Sequence, residues 1–232
     1  MIFDLFENLK NSNKCEAVSR LIAMSLPKKD FFLLVIASVL MASFGLILEN
    51  TAVVIGSMLI APVLYPILSF SMGVSMLNGK LIQNSFYTVL KSIVFSLIIA
   101  TLVSAFVPGS VDFVSNQLFA NMSPSWLYLI VAFTAGFSVS YSLVKPELSA
   151  TLPGVAVSVS LIPPLSAIGI GMGQLNWEIV RASSLLFLIN ILGIILSAVL
   201  VFSLMSMHKE CKVADKAIKE GEKIIEKENE KK

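Results

Sequence analysis

The feature that most limits what this chain can fold into is the absence of charge over long stretches. Residues 31–48, 52–77, 126–144, 148–177 and 182–207 hold no Asp, Glu, Lys or Arg, and a sixth run, 81–107, holds only Lys91. About 20 apolar residues at 1.5 Å per residue cross the hydrocarbon core of a bilayer, so the pattern predicts six transmembrane helices. A membrane β-barrel would instead show alternating segments of roughly ten residues, and these runs do not alternate. In lipid, a helix satisfies its own backbone hydrogen bonds, which an isolated strand cannot do. Composition agrees: 56% of the 232 residues are apolar and 14% charged, against about half and a quarter in soluble domains.

The connections predict orientation. Fifteen of the 17 Lys and Arg residues fall on the side of the two termini, Arg181 alone on the other, and Lys91 within a span. The positive-inside rule therefore places both termini in the cytoplasm. Residues 1–30 lack the apolar core and cleavage site of a secretory signal. Their apolar residues, among them Phe6, Leu9, Val18 and Leu21, recur at helical spacing, as expected of an amphipathic segment lying in the interface. Residues 108–125 are expected to form an outer loop, and 208–232 a charged cytoplasmic helix fraying into solvent or resting on anionic headgroups. Cys15 and Cys211 would face a reducing compartment, where a structural disulfide is not expected.

An internal repeat organises the rest. AVVIGSMLIAPVL from Ala52 lies over GVAVSVSLIPPL from Gly154, which pairs Leu59 with Leu161, Ile60 with Ile162 and Pro62 with Pro164. After a four-residue gap, LNGKLIQNS from Leu77 lies over LNWEIVRAS from Leu175. A broken helix, an LN turn and a long helix recur in order, so 31–107 and 126–207 read as two three-helix units. Three is odd, and the second unit must enter the membrane from the opposite side. The expected architecture is all-α, with two inverted repeats and Pro-broken helices two and five, as in secondary transporters that bind substrate near the bilayer midplane.

Pro62 and Pro66 interrupt helix two, and Pro163 and Pro164 interrupt helix five, because proline removes a donor and clashes with the preceding turn. Such breaks persist in lipid where they line a polar cavity, or they are ordinary kinks; both readings stand. Ser57, Ser69, Ser158, Ser160 and Ser166 flank the breaks and are candidate pathway hydroxyls, although serine equally serves helix packing. Gly169 and Gly173 have small-xxx-small spacing, which points to close packing. Lys91 either lines a cavity or snorkels to the cytoplasmic surface. Opposite it in the repeat is Ile189, with Asn190 one position on as a pathway candidate. Glu49 and Asn50 form an outer turn, a helix cap or a gate at the outer mouth. No carboxylate lies in a span, and no phosphate loop or set of metal ligands can be assembled, so neither enzyme chemistry nor a metal or cofactor is expected.

The run SVLMASFGLILENTAVVIGSMLIAPVLYPILSFSMG and the later LPGVAVSVSLIPPLSAIGIGMGQLNWE resemble the prokaryotic membrane family known as domain of unknown function 389, over roughly residues 30–207. The resemblance implies a membrane protein and supplies no activity. Longer members carry a soluble N-terminal domain, so this chain is expected to be a short form. From the residues, the expected function is movement of a small solute or ion between helices two and five. An anionic or neutral solute is favoured if Lys91 reaches the cavity. The alternatives are a passive channel of the same architecture and a non-transporting scaffold or sensor. The expected partners are the bilayer, that solute and a second copy of the chain, with no nucleic acid.

Overall fold

The computed structural model describes residues 11–106, 125–145, 148, 161–206 and 211–230. Among them are nine helices and no strand: α1 (Asn11–Ser25), α2 (Lys29–Ile47), α3 (Thr51–Ile60), α4 (Leu64–Ser75), α5 (Gly79–Phe106), α6 (Trp126–Val144), α7 (Ile162–Gly173), α8 (Trp177–Leu204) and α9 (Cys211–Glu230). Four of these, α2, α5, α6 and α8, are long and apolar enough to cross a membrane, and α3 with α4 make a fifth candidate span bent by 50°. The molecule is a multi-pass membrane protein. The expected outer loop lies outside the described residues except for Ser125, which caps α6 by accepting from the Leu127 amide.

Helix lengths recur in chain order. The helices α2 and α6 each have 19 residues, α4 and α7 each 12, and α5 and α8 each 28. Leu64 to Ile162 and Gly79 to Trp177 are both 98 positions apart. This register corrects the sequence alignment: Pro164 stands opposite Pro66, not Pro62.

Three connections share one turn. Leu77 and Leu175 adopt left-handed φ values of 54° and 56°, and Glu49 one of 52°. In each turn the next residue is an asparagine whose amide donates to the carbonyl of a glycine five positions earlier: Asn50 to Gly45, Asn78 to Gly73, Asn176 to Gly171. The asparagine side chain then accepts from amides of the following helix's first turn, which have no intrahelical partner. Proximity favours glycine at each of these positions. A Cβ on Gly45, Gly73 or Gly171 would stand 2.8–3.0 Å from Val54, Ile82 or Val180, each nine positions on. Capping and glycine spacing together set each reversal.

Helix directions follow from the contacts. Ser85 donates to Ser69 across α4 and α5, which fold back on one another. Gly169 meets Ala100 and Gly173 meets Ser104, so α5 and α7 run parallel. Likewise Gly193 meets Ala132 and Gly136 meets Ile194 and Ser197, so α6 and α8 run parallel. Since α7 and α8 fold back through the Asn176 turn, the two 28-residue helices run in opposite directions.

One end of the bundle carries α1 and α9. Lys14 Nζ donates to the Met205 carbonyl at the end of α8, and the Asn78 carboxamide donates to Asp215 on α9. At the other end Leu46, Val54, Ile170 and Ile179 bring the Asn50 and Asn176 turns into one apolar cluster. Two expectations about the first end are corrected. The segment α1 packs on α4, α6 and α9 with Ala17, Val18, Leu21 and Ile22 buried, rather than resting only in an interface. Helix α9 does not fray over 211–230. It packs on α1 through Ala214 and Ile218, an apolar stripe opposite its charges.

Candidate functional site

The interruption in the second span is real backbone. Helix α3 stops at Ile60, Ala61 is extended at φ −67° and ψ 118°, and α4 starts at Leu64. Pro62 explains the stop, because its ring disfavours helical geometry in the preceding residue. The other prolines act differently from the sequence expectation. Pro66 is the third residue of α4, and Pro163 and Pro164 are the second and third of α7. In a first turn the missing N–H has no intrahelical bond to lose, so these prolines open helices rather than break them. Helical structure is continuous from Ile162 to Gly173, and the expected lapse over 162–166 is absent. Ser158 and Ser160 lie outside the described residues.

A cavity of about 170 Å³ lies at the break, lined by Leu59 to Pro62 and Tyr65 of the second span and by Val139 and Leu143 of α6. It marks an asymmetry. In the second half, α7 packs against both α2 and α5. Its counterpart α4 packs against α8 and α5 but does not pair in that way with α6; α1 packs on both. Nor do α4 and α7 pack on each other as a helix pair among the described residues. Each short helix is seated instead on the long helix of the other half.

The bundle interior is hydroxyl-rich. Along α5 the buried face reads Ser85, Thr88, Ser92, Ser96, Ala100 and Ser104. Several of these groups have local partners: Thr88 and Ser92 donate to the preceding turn, and Thr101 and Ser104 donate across to the carbonyls of Gly169 and Ile170 at 3.0 and 3.2 Å. Ser57 is buried, donates to the Val54 carbonyl, and accepts from Ser38 at its own carbonyl, which ties α2 to α3. Ser69 accepts from Ser85. Against these, the buried hydroxyls of Ser43, Ser96 and Ser166 have no hydrogen-bond partner. Ser96 lies four residues before Ala100 and Ser166 three before Gly169, so both sit one turn from that contact on the α5–α7 seam. Ser43 is on α2, which packs on both helices. A buried hydroxyl without a partner forfeits about 1–3 kcal/mol, which a bound polar molecule would restore.

The remaining candidates separate. Asn190 is buried in α8 and stands opposite Ser92 in the register set by the helix starts. Lys91 does not face the interior. It is exposed on α5, with Nζ 5.2 Å from the Tyr87 ring centroid and 5.8 Å from that of Phe32. The cavity alternative for Lys91 is thereby lost, and with it the argument for an anion. Asn50 caps α3 through the Ala52 and Val53 amides, and Glu49 supplies the left-handed turn residue. Ser43 and Ser96 were missed in the sequence because neither flanks a proline, although Ser96 belongs to the readable series Ser85, Ser92, Ser96.

The model of the family described as domain of unknown function (DUF389) matches residues 58–196. An uncharacterized protein of the archaeon Methanocaldococcus jannaschii is 31% identical over 175 residues, covering 75% of this chain and 54% of the relative. The chain thus spans about half the length of that protein. No solved structure matches it.

Proposed function

We propose that this chain, which belongs to the DUF389 family, moves a small polar solute across the membrane through a six-span scaffold of two inverted repeats. Both termini then lie on the cytoplasmic side of a prokaryotic plasma membrane, in keeping with the Lys and Arg bias of the connections. The opposed directions of α5 and α8 and the paired helix lengths support the inversion. Inverted repeats are the frame on which many secondary transporters build a midplane site.

The observation that carries the transport reading is the unequal state of the two halves. The second-half short helix α7 is packed against α2, while the equivalent place beside α4 holds a cavity at the backbone break, with α1 closing over α4 and α6. Two equivalent positions in two different states are what rocking between inward-open and outward-open forms requires. Fixed charge plays no part in the described interior, where the buried polar groups are hydroxyls and the Asn190 carboxamide. A neutral polar solute fits that lining best.

Reconstitution into liposomes tests the proposal, with uptake of small neutral solutes such as polyols, urea and zwitterionic amino acids compared with small anions and cations. The expected result is saturable flux of a neutral solute, reduced about tenfold or more by Ser96→Ala with Ser166→Ala, which would remove two hydrogen bonds to the bound solute of about 1 kcal/mol each. Folded protein passing none of the three classes would overturn the reading, and non-saturable flux unchanged in the double variant would indicate a passive pore.

A further inference from the structure

Lys91 is left without a role by the pathway, yet an ammonium on the lipid-facing side of a span is costly unless something offsets it. Its two contacts are aromatic faces, Tyr87 and Phe32, each able to hold a cation. Among the described residues it has no carboxylate partner. Lys29, in the first turn of α2, comes three positions before Phe32, and Lys28 stands one residue earlier as the extended residue that precedes the helix. Asp30 is two positions before Phe32, about 200° round the helix and so directed elsewhere. Tyr87 continues this corner into a groove shared with Ser25, Pro27 and Asn84, whose α9 side carries Glu222.

Apolar surface begins where the charge ends. From Lys91 the exposed residues Phe95, Ile98 and Leu102 follow at steps of four, three and four along one face of α5. A cationic, aromatic-flanked head leading into an apolar strip matches an amphiphile with an anionic head and long tails. We propose that this corner binds the phosphate of an anionic phospholipid, with Lys91 supplying the principal charge, Lys28 and Lys29 flanking it, and an acyl chain lying along Phe95, Ile98 and Leu102. The site is independent of the solute pathway and stands or falls separately from it.

The test is native mass spectrometry of the full chain in detergent with added phosphatidylglycerol or phosphatidylcholine, with Lys91→Gln and Lys91→Arg alongside wild type. Wild type and Lys91→Arg are expected to retain phosphatidylglycerol in preference to phosphatidylcholine. Lys91→Gln should lose about fivefold in phosphatidylglycerol affinity, equivalent to about 1 kcal/mol for one lysine at a membrane surface. Inorganic phosphate at millimolar concentration should not displace the lipid. Equal retention of the two lipids, unchanged affinity in Lys91→Gln, or displacement by inorganic phosphate would each overturn the proposal.

Discussion

The pairs α2–α5 and α6–α8 are each made of a 19-residue and a 28-residue helix and are packed by opposite means. In the second pair, Gly136 lies against Ile194 and Ser197, and Gly193 lies with Ala132 so near that an added Cβ would be 2.7 Å from it. Counting from the helix starts, Val35 and Val39 stand in the first pair where Ala132 and Gly136 stand in the second, and Phe95 stands in place of Gly193. Larger side chains hold helices further apart, and in lipid close approach through small residues is a main source of helix affinity. The second pair is built to stay together. The first pair leaves room for α7 to be seated against both of its members. One repeat thus serves as a clamp and the other as a receiving groove.

The largest expected effect breaks the clamp. Gly136→Val should destabilise the protein by about 3 kcal/mol or more, because its Cβ meets backbone as well as side chain and cannot be relieved by a rotamer change. Val39→Ala at the equivalent place should cost less, about 1 kcal/mol, since only packing contacts are lost. Thermal unfolding in detergent ranks the two; a larger loss for Val39→Ala would reverse the assignment of clamp and groove.

Equivalence of the turns gives a smaller effect with two signs. Asn176→Ala and Asn50→Ala should each lose about 1 kcal/mol as first-turn amides lose their cap. Leu77→Gly and Leu175→Gly should raise stability by up to about 1 kcal/mol, since both residues are exposed and left-handed. If only one of the two glycine variants is stabilised, the turns are not equivalent. Smallest of all, Thr101→Val should lose about 0.6 kcal/mol with its bond to the Gly169 carbonyl. Ser96→Ala, with no bond to lose, should leave the unfolding temperature unchanged or higher.

The sequence revealed what depends on composition over a long window: five of the six expected apolar spans, counting the bent pair as one, the interrupted second helix and the recurrence of LN. It misplaced what depends on one residue's position within a turn. A proline signals a break equally well whether it ends a helix, as Pro62 does, or opens one, as Pro164 does. The side on which Lys91 emerges is set by packing partners: the hydroxyl stripe Ser85, Ser92 and Ser96 is the buried face of its helix, and Lys91 lies off that face. The Glu49–Asn50 turn was legible as a turn, but its likeness to the other two was hidden because Glu49 replaces the leucine of LN, although the glycine five positions before each asparagine was there to be read. Burial of α1 was hidden because an amphipathic helix reads alike whether its apolar face meets lipid or protein.

If the two halves enter the membrane from opposite sides, the Leu77 and Leu175 turns lie on opposite faces. In a background of Cys15→Ser and Cys211→Ser, single Leu77→Cys and Leu175→Cys variants can be labelled with a membrane-impermeant thiol reagent in right-side-out and inside-out vesicles. Both side chains are well exposed. The account predicts that Leu77→Cys reacts only when the cytoplasmic face is accessible and Leu175→Cys only from the outside. Labelling of both positions from the same face would contradict it.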